Sequence, residues 1–304
     1  MPDTQSKDNT PLAVLVIVGT VLLLTLGDAA IKGFSADLRL WQIFVLRSLM
    51  VLPVLYVIQR MIVGTVRLWP KAPGWTALRN LMLSLMWVAY YTSLPHLDLS
   101  VAAAAYYTLP IFITLFSAWF VGEKVTGTGW LAVLLGFVGV LVVLRPTSDN
   151  FSLYAVYPLI AAVLYALAMI LTRTKCRDEH PLILSAALNL SFILVGAGAT
   201  LALWLWGGTT SPDASGGFLS PDWAALTGSS ATALALMSIA ILIGSIGTAI
   251  AYQIGRSSVI ATFDFSYVGF ATIWGIMFFG ERPDILTLSG IGLIVLAGIL
   301  AVSK

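Results

Sequence analysis

Ten apolar stretches, each close to the length that crosses a bilayer, fill most of the 304-residue chain. They lie near 12–32, 40–59, 75–95, 99–121, 128–145, 153–173, 181–206, 226–254, 257–279 and 284–303. A spanning helix needs about 20 mostly apolar residues. Hydrocarbon offers no water to the backbone, so each span must satisfy its own N–H and C=O groups, as helices do. Charged residues make up 10% of the chain, against about 25% in soluble domains, which leaves too little polar surface to face water. The expected class is an all-α integral membrane protein of ten transmembrane helices, multi-pass in the cell (plasma or inner) membrane. The net charge of +2 gives no reason to expect nucleic acid. Cys176 is the single cysteine, so no intramolecular disulfide exists, and His96 and His180 both fall near expected loops. No cofactor and no metal site are expected.

The distribution of Lys and Arg orients the helices. With the N-terminus inside, Lys7, Arg60, Arg67, Lys71, Lys124, Arg173, Lys175, Arg177, Arg256 and Lys304 are cytoplasmic, while Lys32, Arg39, Arg145 and Arg282 are outside. That is ten against four and puts both termini in the cytoplasm. Residues 207–222 are rich in Gly, Ser and Pro with two acids and no base, which suits an outer loop. Gly33-Phe34-Ser35 ahead of Ala36 loosely resembles a signal-peptide cleavage site. The n-region is weak, with Lys7 between Asp3 and Asp8, so the first stretch is expected to stay as a helix.

Ser257–Glu281 resembles Ser100–Glu123 at a constant offset of 158 residues. Ser100/Ser258, Val101/Val259, Ala103/Ala261, Thr114/Thr272, Phe120/Phe278, Gly122/Gly280 and Glu123/Glu281 coincide. Two related halves of five helices each must enter the membrane in opposite senses, because five is odd. The expected organisation is a cytoplasmic tail at 1–10, a first repeat at 11–147 (helices 1–5) and a second at 148–304 (helices 6–10). Inverted repeats place a binding site near the midplane between them.

The duplicated unit, with each fourth helix ending in Gly-Glu, resembles the EamA family of the drug/metabolite transporter superfamily. Tyr90-Tyr91 through Asp98, Pro110, Gly122-Glu123-Lys124 and Gly136-Phe137-Val138-Gly139 carry the resemblance. The run Gly27-Asp28-Ala29-Ala30-Ile31-Lys32, followed by Gln42 and Arg47, resembles a subgroup that includes S-adenosylmethionine uptake proteins. One departure is that Val268 stands opposite Pro110, so any proline break is confined to the first half. The resemblance implies a transporter; it does not single out a substrate.

An ion near the bilayer centre costs about 2.5–3.5 kcal/mol on insertion scales, so intramembrane charges are functional candidates. Asp264 is expected about 10 Å into the ninth helix, with Ala261, Val268, Ala271 and Gly275 on its face and Phe263, Tyr267, Phe270 and Trp274 beside it. It reads either as a substrate or proton site or as a structural polar contact. Arg47 cannot shed its proton and reads as a carboxylate clamp or as a structural partner of Asp28. Asp28 and Lys32 sit at i and i+4, the spacing of a local ion pair, and are expected to be structural or gate-like, or to couple protons. Arg79 and Asn80 open the third helix, where snorkelling to the headgroups is the expected explanation. Glu123 and Glu281 are expected to tie helix ends to neighbouring amides or bases. Trp87, Tyr91, Tyr106, Tyr107 and Tyr267 are expected to line a cavity, because a tyrosine within an apolar span needs a hydroxyl partner and aromatic faces attract cations. Gly136/Gly139, Gly244/Gly247 and Gly290/Gly292 read as close helix contacts.

Together these residues suit a zwitterion, cation to Asp264 and the rings, carboxylate to Arg47. The expected function is secondary transport of a small organic metabolite, amino-acid-like or S-adenosylmethionine-like, by alternating access. Export of amino acids or drugs is the alternative within transport. An intramembrane lipid-modifying enzyme is the alternative from another class, and it lacks paired carboxylates or a membrane histidine here. A scaffold or receptor component would not need deep charges. No GxxxxGK[ST] phosphate loop occurs, which argues against direct ATP drive by this chain. The expected partners are the bilayer and a small-molecule substrate, with a homodimer left open.

Overall fold

The computed structural model describes residues 10–62, 69–121, 127–144, 152–206, 217–255, 260, 263 and 266–302. Among them the regular structure is helical, without β-strands. In chain order the helices are α1 (Thr10–Gly33), α2 (Leu40–Ile62), α3 (Pro73–Ser93), α4 (Leu99–Tyr106), α5 (Leu109–Phe116), α6 (Gly127–Leu144), α7 (Val156–Thr174), α8 (Pro181–Leu205), α9 (Gly228–Ile254), α10 (Ser266–Phe279) and α11 (Ile285–Val302). A π-helical turn, Ser117–Val121, continues α5, and a 3-10 turn, Leu153–Ala155, leads into α7. Each of the ten apolar stretches contains helix. Among the described residues, six runs are long and apolar enough to cross a membrane: α1, α2, the α4–α5 run, α7 with its lead-in turn, α8 and α9. By contrast α6, α10 and α11 are shorter apolar helices. Although α3 has 21 residues, Arg79, Asn80, Ser84, Thr92 and Ser93 make it more polar.

The outward faces are apolar. Leu15, Met61, Trp119 and Ile285 are each at least 71% exposed, an arrangement water would penalise and lipid does not. Inside, the helices pack mainly as the pairs α1–α9, α2–α8, α3–α7 and α6–α11, with α10 against α1 and α4. Lipid gives helices no hydrophobic reason to associate, so close packing at small residues must hold them together. Gly139 and Gly290 show this at the α6–α11 crossing. A Cβ on Gly139 would come within 2.9 Å of the Gly290 carbonyl oxygen, and one on Gly290 within 2.8 Å of the Gly139 carbonyl oxygen. Gly136, Gly244 and Gly247 also sit against side chains, whereas Gly292 faces open space.

The first-half break lies between α4 and α5, at Tyr107 and Thr108. Pro110 is the second residue of α5, where its missing N–H costs no helical bond. The Thr108 hydroxyl donates to the Ala105 carbonyl at 2.9 Å, closing one end of the gap.

Candidate functional site

At one end of the bundle, a carboxylate gathers three chain segments. Phe279 ends α10, and Gly280 adopts φ +62°, a left-handed conformation that glycine takes without steric cost. The turn swings Glu281 back over Gly275, whose lack of a side chain leaves room for the carboxylate. Glu281 Oε1 accepts from the Leu99 N–H at 2.6 Å. Its Oε2 accepts from the Ser100 N–H at 3.3 Å and the Ser100 hydroxyl at 3.1 Å. The anion thereby satisfies free amides at the start of α4 and lies at its positive dipole end. Lys32 Nζ donates to Glu281 Oε1 at 3.0 Å and to the Leu97 carbonyl at 2.6 Å. The expected helix-tying role of Glu281 thus has a geometry, while the expected local Asp28–Lys32 pair does not form. Glu281 offers Lys32 a near-dry acid, and the Tyr267 hydroxyl occupies Asp28. Glu123, the other half's Gly-Glu acid, lies outside the described residues.

Asp28 is 1% exposed. The Tyr267 hydroxyl donates to its Oδ2. With that proton committed, Tyr267 accepts from Tyr90, whose hydroxyl oxygen lies 2.9 Å away. Arg47 Nη1 donates to Tyr91 Oη at 3.4 Å. Arg47 and Asp28 do not form a direct ion pair. The guanidinium is 1% exposed and lies among three rings, 4.8 Å from the Phe192 centroid, 5.4 Å from Phe44 and 5.9 Å from Tyr91. Its Nε and Nη2 carry no hydrogen bond. A small void touches Asp28, Arg47 and Tyr91.

Beside this network lies a second, larger cavity. Trp87, Tyr106, Tyr107, Tyr165 and Tyr267 form its aromatic wall, and Val21, Leu24, Met86, Met169 and Ile241 its aliphatic one. Tyr107 and Tyr267 pack at 5.0 Å between centroids. Ser245 and Thr248 add hydroxyls from α9. Tyr267 belongs to both features, presenting its ring to the cavity and its hydroxyl to Asp28.

Four of the expected aromatics, Trp87, Tyr106, Tyr107 and Tyr267, thus share the large cavity. Tyr91, Arg47 and Asp28 share the small one, and Lys32 belongs to the Glu281 cluster. Asp264 lies outside the described residues. Arg79 departs most from expectation. It does not snorkel; it is 3% exposed and lines the cavity. Its Nε donates to Thr172 Oγ1 at 2.6 Å and its Nη1 to Asn80 Oδ1 at 2.8 Å. Side-chain acceptors inside the bundle hold the head, so it has no need to reach the headgroups. The adjacency of Arg79 and Asn80 in an apolar stretch was the available signal; the third partner, Thr172, is 93 residues away.

Comparison with known proteins adds the following. Residues 11–145 match the EamA-like transporter family. The pseudopaline exporter of Pseudomonas aeruginosa is 25% identical over 96% of this chain and 95% of its own length. The riboflavin transporter of Brucella anthropi is 29% identical over 67% of each chain. The S-adenosylmethionine uptake transporter of Rickettsia bellii is 24% identical over 32% of this chain and 33% of its own. A protein known from a crystal structure superposes over 96% of this chain and 97% of its own, with a TM-score of 0.67 at 18% identity, a likeness of fold.

Proposed function

We propose that the chain, a multi-pass membrane protein whose residues 11–145 match the EamA-like transporter family, is a secondary transporter moving a small organic metabolite by alternating access. Its family and relatives are transporters, not enzymes, which removes the intramembrane lipid-modifying enzyme. The observation that carries the reading is Tyr267, which belongs both to the wall of the larger cavity and to the Asp28 hydrogen-bond network. Ligand contact with the ring and a change at the carboxylate are then one event. In this reading Trp87, Tyr106, Tyr107 and Tyr267 contact substrate, with Arg47, Tyr91 and Asp264 completing the site. Asp28 couples or gates, and Lys32 with Glu281 closes the far end.

Inverted repeats at 11–147 and 148–304, ten spans and cytoplasmic termini belong to this proposal. The packing supports it. Numbering the ten spans in order and exchanging span n with span n+5 converts the α1–α9 pair into the α7–α3 pair. The same exchange maps α2–α8, α4–α10 and α6–α11 onto themselves. Direction is weighed on relatives. The exporter aligns with nearly the whole chain and the S-adenosylmethionine importer with about a third, which favours export over the uptake suggested by the Gly27–Lys32 run.

Proteoliposomes loaded with a labelled panel of amino-acid, riboflavin-like, sulfonium and pseudopaline-like compounds test the reading. At least one compound is expected to move with wild type, and Tyr267→Phe and Asp28→Asn are expected to lower its rate about tenfold or more, equivalent to about 1.4 kcal/mol. Asp264→Asn and Arg47→Gln in the same vesicles probe the remaining site residues. A panel that stays put, or transport indifferent to all four substitutions, sinks the assignment. Imposing a pH gradient separates proton coupling at Asp28 or Asp264 from exchange.

A further inference from the structure

Arg79 is a buried cation in the wall of the cavity, and its protein contacts are all neutral. Thr172 accepts from Nε while its own proton goes to the Ala168 carbonyl at 2.8 Å. Asn80 Oδ1 accepts from Nη1. These acceptors orient the planar head without neutralising it. Nη2 donates to no described residue, and the side chain lines the cavity. Among the described residues the one ion pair is Lys32–Glu281, at the other end of the bundle. A buried guanidinium with no acid is costly, and the two free N–H groups of Nη2 suit a carboxylate or phosphate oxygen. Five aromatic rings share the wall.

Building on the transport reading, we propose that the cavity takes organic anions with a flat, unsaturated body. Arg79 binds the anionic group, and Trp87, Tyr106, Tyr107 and Tyr267 hold the body. The substrate then supplies the missing negative charge, so that the loaded site is closer to neutral than the empty one.

The test uses the purified full chain and two probes of equal shape, 4-nitrobenzoate and its neutral amide, 4-nitrobenzamide. Both quench tryptophan, and Trp87 lies in the wall, so saturable quenching that Trp87→Phe removes reports this cavity. Wild type is expected to bind the carboxylate at least about tenfold more tightly, a typical charge-assisted hydrogen bond. Arg79→Gln is expected to abolish the preference and Arg79→Lys to keep part of it. Should Arg79→Gln not fold, Thr172→Val carries the test, weakening the carboxylate alone by releasing the guanidinium from its orientation. Equal binding of the two probes by wild type, or a preference that survives Arg79→Gln, overturns the proposal. So does a preference that emerges only in Asp264→Asn, which would make Asp264 the native partner of Arg79. Anion binding by a chain that moves no panel compound counts against transport and leaves this site standing. Transport without anion preference does the reverse.

Discussion

The two ends of the helix bundle treat buried charge in opposite ways. At one end, Glu281 meets Lys32, two amides of α4 and a hydroxyl. At the other, Arg79 meets only neutral acceptors, and Arg47 between them keeps two nitrogens unpaired among aromatic rings. Burying an ion is unfavourable unless its partners compensate. The compensated cluster accounts for itself as architecture, since it fastens α1, α4 and the end of α10 together. The uncompensated cations find no such account within the described residues, and on the proposed reading they are the places where a ligand completes the structure.

The largest effect expected on stability is at Glu281. Glu281→Ala removes the acid from Lys32 and the cap from α4, and is expected to cost about 3 kcal/mol or more, as when one member of a buried pair is deleted. Thermal unfolding of the detergent-solubilised protein measures it. A midpoint unchanged from wild type would make the cluster dispensable and remove one side of the contrast.

Arg47→Met is the converse. It replaces an under-partnered cation with an apolar chain of similar reach among Phe44, Tyr91 and Phe192, so stability is expected to hold or to rise by about 1 kcal/mol. Transport of a panel compound in vesicles is expected to fall. The separation of the two readouts is the point. Loss of stability as large as at Glu281 would show Arg47 to be structural, and unimpaired transport would take it out of the site.

The contrast was only half legible in the sequence. The spans could be located because hydropathy is local: twenty apolar residues announce themselves without knowledge of their neighbours. So could the role of Gly280-Glu281, since a glycine followed by an acid after an apolar run is a turn and a cap. The partners could not. Lys32 has Asp28 one turn away, and local spacing favours that pair; the actual acid lies 249 residues on. Tyr267 reaches Asp28 across 239 residues. Arg79 misled for a related reason: depth along its own helix suggests snorkelling, while Thr172 on α7 decides otherwise. Four cavity aromatics were recognisable because a tyrosine hydroxyl in an apolar span demands a partner, though that demand does not say which partner answers.

The smallest effect tests how far the field of the compensated cluster extends. Asp98 stands in the connection before α4, at the N-cap position but without a side-chain cap bond. Partial burial, then the neighbouring Glu281 carboxylate, pushes its acid above the ordinary 3.8, with Lys32 pulling the other way. A raised carboxyl pKa means that the folded chain holds its proton more tightly than the unfolded one. This contribution is fully present below the ordinary value and is lost as pH rises through the raised one. Asp98→Asn removes the ionisation, so its midpoint should exceed that of wild type at neutral pH. The gain is expected to be under about 0.5 kcal/mol, because the side chain is exposed and solvent screens the interaction. It should shrink as the pH falls toward 3.8. Glu281→Gln in the same background should reduce the gain, because the second cause of the shift is then gone. A gain independent of both pH and Glu281 would mean that the field of the cluster ends at its own hydrogen bonds.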